Sequence, residues 1–165
     1  MKGDDAVAAM KSVRKRIRSE RGAELIEFAL TLPLLLLLVL GIIEFGFMFQ
    51  EYEVVTNAAR EGARIGSLIP SAGYKATEAQ QRAMDFLTAG GLNSAQATPA
   101  PSVVQSQVAI TGTGKCIPAV TSTVTYQHPV PFLSGIVSYF GGTMPAIQLK
   151  GVAVMRTESG STACP

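Results

Sequence analysis

RGAELIEFALTLPLLLLLVLGIIEFGFMF, residues 21–49, is an apolar run of membrane length behind a charged edge. Residues 28–43 carry no charge, and Glu44 is the one ionisable group between Phe28 and Phe49. As a helix of about 22 residues rising about 1.5 Å each, the run covers ~33 Å, enough to cross a hydrocarbon core of about 30 Å. Glu27 stands at its inner edge, where a charge costs free energy unless it is paired. Pro33 removes one backbone bond, to the carbonyl of Ala29, and is expected to kink the helix there. Gly41 and Gly46 leave room for a neighbouring helix, but they stand five apart and so do not form a GxxxG pair.

The flanks assign an orientation to this run. Residues 1–22 hold Lys2, Lys11, Arg14, Lys15, Arg16, Arg18 and Arg21 against Asp4, Asp5 and Glu20. On the far side Glu51, Glu53, Arg60, Glu61 and Arg64 nearly cancel. The positive-inside rule then keeps the N-terminus cytoplasmic and exports the C-terminal part, giving a single-pass protein of a bacterial inner membrane with the bilayer as its first partner. The basic leader is a topology signal: a nucleic-acid patch needs aromatic or groove-reading neighbours, and none is present. An ordinary cleaved secretory signal is disfavoured too, since its apolar region is shorter and ends in a small-residue site that is missing here.

Outward from the run the chain reads as three parts: a leader over 1–22, a long helix over 23–69 with the span at about 28–49, and an exported domain over 70–165. Past the bilayer Val55, Ala58 or Ala59, Gly62, Ile65 and Ile69 recur at helical spacing, so one helix is expected from about 23 to 66, with Pro70, Ser71 and Gly73 ending it. The leader before it reads as loosely ordered. A second helix is signalled by Thr77 as cap and Ala79, Ala83, Met84, Phe86 and Leu87, closing at Gly90 and Gly91. Residues 93–101 read as a loop. Strands rich in Val, Ile and Thr are expected over 103–111, 120–127 and 147–157, with an apolar loop holding one helical turn between the last two. The fold class is α+β: a long N-terminal helix continuing into a small domain of one short helix and a few antiparallel strands.

Cys116 and Cys164 both fall on the exported side, where two thiols pair as one disulfide. Closing that loop stabilises a domain by about 4 kcal/mol in the chain-entropy view. Two cysteines and one histidine are an incomplete metal site, and no cofactor is implied. Catalysis also lacks its parts. His128, the single histidine, precedes Pro129 at a strand end and reads as a satisfied or exposed strand-end residue. The run Gly112-Thr113-Gly114-Lys115 is similar to part of a phosphate loop, yet Ala109 stands where the first glycine belongs and Cys116 comes after the lysine. It reads as a hairpin turn. Glu44 has two readings: it reaches the outer headgroups, or it makes an intramembrane polar contact to another helix in an assembly.

Glu27 becomes the fifth residue of a new N-terminus if the chain is cut between Gly22 and Ala23. GAELIEFALTLPLLLLLVLGIIEFG, with TNAAREGAR a few residues on, resembles the N-terminal region of TadE-like proteins, minor pseudopilins of the tight-adherence (Flp) pilus machinery, a system of type IV pilin-like subunits. The likeness is specific over residues 18–67 and looser beyond; TadF-like and TadG-related proteins share the N-terminal pattern. It implies cutting at Gly22–Ala23 by a prepilin peptidase, no enzymatic activity, and partnership with other pilins, including a TadF-like subunit and the small major Flp pilin, and with the inner-membrane assembly platform. It also implies pairing of the Ala23 ammonium with Glu27 of a neighbouring subunit, favourable where water is scarce. The competing reading is an uncleaved, signal-anchored envelope protein whose exported domain binds a partner.

Overall fold

The computed structural model describes residues 3–69, 75–158, 160 and 162–164, and side chains from Gly22 onward except that of residue 162. Pro70, Ser71 and Gly73, read as ending the first helix, lie outside the described residues, as do the side chains of the basic leader. The chain divides into two units, Met1–Ile43 and Glu44–Pro165.

Helix α1 is Gly3–Leu68 and includes Pro33. It begins twenty residues before the expected start at Ala23. The leader explains this: Ala6, Ala8, Ala9, Met10 and its Lys and Arg residues are strong helix formers, and no proline interrupts them. Between Leu25 and Ile43 the large apolar side chains are exposed, Leu30 and Leu34 each at 74%. By length and composition the segment Gly22–Leu68 is the one helix among the described residues that could cross a membrane.

In the second unit the same helix changes character. Val55, Ala58, Ala59 and Ala63 are fully buried, and Ile65 and Ile69 pack partly buried beside them. These are the positions of the apolar stripe, now the floor of a two-layer domain. Helix α2, Ala76–Ala89, lies in the same layer and buries Ala79, Ala83 and Leu87. It begins at Ala76 with Lys75 as N-cap and no side-chain cap bond, so the expected Thr77 cap is inside the helix instead. Gly90 closes it, with its N–H donating to the Phe86 carbonyl, and Gly91 takes φ +83°, where a side chain would be strained. Residues 93–101 are not all loop: Ser94–Gln96 form a short 3₁₀ turn whose Ala95 N–H donates to the Asn93 side chain.

The sheet is antiparallel. Its strands are β1 (Ser102–Ile110), β2 (Lys115–His128), β3 (Ile147–Arg156) and the short β4 (Thr162–Ala163). The order is β1-β2-β3, and β4 also pairs with β2, so the longest strand is the hub. Strand β2 starts five residues earlier than expected because Lys115 and Cys116 pair with both β1 and β4. The turn before it uses Gly112 at φ +80° and Gly114 at φ +64°, which makes Gly-Thr-Gly-Lys a hairpin turn. Alternation then sorts the faces. Val120, Ser122, Val124 and Tyr126 of β2 and Leu149 and Gly151 of β3 are buried toward the helices, while Val104, Val108, Val152 and Val154 are exposed on the opposite face. The apolar loop after β2 holds more helix than one turn: α3, Pro131–Tyr139, starts on a proline at its first turn. Cys116 and Cys164 form a disulfide, as expected from their side of the membrane-length run.

Close approach fixes where helix meets sheet. A Cβ added to Gly151 would lie 2.7 Å from the Val55 carbonyl oxygen, and one added to Gly62 would lie 2.7 Å from Ser122 Oγ and 3.1 Å from Ala83 Cβ. With small residues at the crossing, the helices sit closer to the strands than Leu or Ile would permit. One charged cluster trims the rim. Glu61 accepts from Arg64 at 2.7 Å and from Arg82 at 3.1 Å. The Arg64 bond, opposed by partial burial and helped by the Arg82 bond, lowers the Glu61 carboxyl to about 2.

Candidate functional site

Two places carry residues that the sequence singles out, one in each unit. In the first unit Gly22, Ala23 and Glu27 occupy successive turns of α1. Ala23 and Glu27 are exposed, as are the flanking Leu25, Ile26 and Phe28. The Glu27 backbone carbonyl accepts from Thr31 Oγ1 at 3.0 Å. Gly22 lacks a positive φ, and a Cβ there would meet nothing within 4 Å among the described residues. Inside a helix a glycine costs about 0.5–1 kcal/mol relative to alanine, a cost that no described contact requires.

The second place is built by β2 ending against α1. His128, the last residue of β2, is 3% exposed and lies between two acids of one helix face, Glu44 and Glu51. Two helical turns separate those acids, which is why they project to one side. His128 Nδ1–H donates to Glu51 Oε2 at 2.6 Å, and Nε2 faces Glu44 Oε1 at 3.5 Å. Glu44 is itself buried, and its Oε2 accepts the Phe132 N–H at 3.3 Å, in the first turn of α3. The positive end of that helix therefore points at a carboxylate. Tyr126, one of the buried β2 residues, donates its hydroxyl to Gln96 Oε1. Burial, and after it the Glu51 charge, raises the Tyr126 phenol above its ordinary value.

Within its own unit Glu44 has two partners, the amide of Phe132 and the ring of His128. The carboxylate oxygen facing the ring, Glu44 Oε1, and His128 Nε2 are both buried without a hydrogen bond, which makes this the one acid–base contact of the cluster left open. His128 is a buried strand-end residue with Nδ1 bonded and Nε2 open, through partners that sequence spacing does not name. Acids at positions 44 and 51 on one helix face, with one histidine at a strand end, are the available signal. Cys116 and Cys164 lie at the opposite end of β2, joined across a separation of 48 residues. Pro33 lies within α1 in the first unit.

Comparison with known families gives a match, and it covers the first of these segments. Residues 22–64 match the family described as TadE-like protein, so the match opens on Gly22 and runs through Glu27, Pro33, Glu44 and the buried small-residue stripe. No curated protein and no solved structure matches the chain. Over that segment the chain is TadE-like, and the likeness links it to the Tad pilus system.

Proposed function

We propose that this chain is a minor pilin or pseudopilin that takes part in assembling a Tad-type pilus, as an initiating, tip or scaffold subunit, and not as an enzyme. A prepilin peptidase of the inner membrane cuts between Gly22 and Ala23. The Ala23 ammonium so exposed pairs with Glu27 of an adjoining subunit, and the pair sets the axial stagger of neighbouring helices. Other pilins, among them a TadF-like subunit and the major Flp pilin, and the inner-membrane assembly platform are its partners. The domain beyond the span is far larger than a major Flp pilin needs, which favours a minor role.

One observation carries the reading. The family match begins at Gly22, a glycine that no contact among the described residues requires, five residues before an exposed acid at the edge of an apolar helix. The charges to be paired would lie in a low-dielectric setting, where a correct partner is strongly favoured and a missing one is penalised. Mass analysis of membrane-extracted protein tests it: the mature chain should begin at Ala23, and Gly22→Val should leave the leader attached. Retention of residues 1–22 in the native protein would instead favour an uncleaved anchor with a partner-binding domain.

A further inference from the structure

Across residues 129–149 the chain carries no Asp, Glu, Lys, Arg or His. Most of this stretch is α3 and the loop behind it. Tyr139 and Phe140 are 86% and 81% exposed, with their rings edge to face at 5.4 Å, and Phe132, Met144 and Ile147 are exposed beside them. In water such an uncharged aromatic surface is a liability, and a cluster of exposed rings of this kind suits a contact surface.

What covers it is indicated by its tether. The first turn of α3 is held by Glu44 through the Phe132 N–H, and the strand end before it is held by Glu51 and Glu44 through His128. Glu44 belongs to the outer end of the membrane-length run, where Phe45, Phe47 and Phe49 are also exposed. Thus α3 is fastened at the level where that run leaves the bilayer. Phe and Tyr rings, with no charge of either sign, suit the boundary between acyl chains and headgroups. The tether also accounts for an acid at this level: its carboxylate is capped by an amide of its own chain and costs less there than a bare charge.

We propose that α3 and the loop after it lie in the bilayer interface beside the spanning helix, forming a second membrane contact whose depth is set by the bond between Glu44 and the Phe132 amide. The contact is apolar, so it does not require anionic lipid. It rests on the reading that residues 28–49 span the bilayer.

The chain contains no tryptophan, so a single introduced one reports its own surroundings. The full-length protein is reconstituted into phosphatidylcholine vesicles with brominated acyl chains, as the variants Tyr139→Trp and, independently, Phe140→Trp. Leu36→Trp inside the span and Val108→Trp on β1 serve as references. Val108 pairs with Ile117, eleven residues along β2 from His128, or ~36 Å at about 3.3 Å per residue. Brominated lipid should quench the Tyr139 and Phe140 variants several-fold more than the Val108 variant, at a depth shallower than that of the Leu36 variant and unchanged by added salt. Quenching by aqueous iodide at the level of the Val108 variant, with the Leu36 variant still quenched by lipid, would overturn the proposal and leave the span intact. If the Leu36 variant also escapes lipid quenching, the span and the proposal fall together. Shielding from lipid and iodide alike that disappears on dilution with lipid would show a second copy covering the patch, and would equally overturn it.

Discussion

Helix α1 passes through both units, and it is built to two different rules. In the first unit its apolar residues are large and exposed on all sides: Leu34, Leu35, Leu36, Leu37 and Leu38 are each more than half exposed. In the second unit the buried positions are Val55, Ala58, Ala59, Gly62 and Ala63, and the opposite face carries Glu53, Arg60 and Arg64. Large side chains all round suit a helix whose solvent is hydrocarbon, because no one direction is favoured. Small side chains on one stripe suit a helix that must come close to a sheet. One continuous secondary structure thus holds a lipid code and a packing code in succession, and what changes between them is side-chain size more than hydrophobicity.

Substitutions in the two units should therefore act on different quantities. The largest effect is expected at Glu27, which no contact among the described residues needs. Glu27→Ala should leave the mature N-terminus at Ala23 and the stability of the protein unchanged while abolishing fibres counted by electron microscopy. Normal piliation would remove Glu27 from the assembly contact. In the second unit, His128→Leu should cost about 3–5 kcal/mol in urea unfolding of the detergent-solubilised chain, because it strands Glu44 and Glu51 beside an apolar side chain. Adding Glu44→Gln to that variant should recover part of the loss; no recovery would mean that the ring matters for its shape alone.

Smaller effects sharpen the contrast between the two glycine classes. Gly151→Ala would bring a Cβ to 2.7 Å from the Val55 carbonyl oxygen and 3.0 Å from the Thr56 Cα, so backbone must move, at about 1–3 kcal/mol. Gly41→Ala meets open space, and the same measurement should register no loss. The smallest effect concerns acid. The Glu61 carboxyl is lowered from 4.5 to about 2 in the fold, so its contribution is present above pH 4.5 and is lost as pH falls toward about 2. Arg82→Ala should narrow that window while changing neutral-pH stability by only about 0.2–1 kcal/mol, as its side chain is 54% exposed. An unchanged acid profile in Arg82→Ala would assign the whole effect to Arg64.

Much of this architecture is legible in the residues because local rules generate it. Helical spacing from Val55 to Ile69 gives the buried stripe, alternation from Val120 to Tyr126 gives the sheet's inner face, and Gly112 with Gly114 gives the hairpin. The disulfide comes from counting two thiols. Other features are settled at long range. Helix α3 includes Pro131, Gly135, Ile136 and Val137, which weaken its helix propensity, and it is held by an acid 88 residues earlier. His128 meets Glu51 across 77 residues, a distance over which sequence spacing says nothing. The early start of α1 is masked for a different reason: the leader's charge is the louder signal, and its alanines are the quieter one. Of the two candidate sites, the one at Gly22 and Glu27 lies within a single helix and is readable; the cluster at Glu44, Glu51 and His128 needs three elements to meet.

The pairing of every strand with β2 has a consequence in time. A ribosome delivers the chain from its first residue, so α1 and α2 exist before any strand, and β2 can at first pair only with β1. Its other edge stays open until β3 arrives, and Cys116 waits 48 residues for the sulfur it will join. Between the completion of β2 at His128 and that of β3 at Arg156, any folding factor or protease meets a half-finished sheet with an unpaired edge, and the newborn molecule is vulnerable late in its own synthesis.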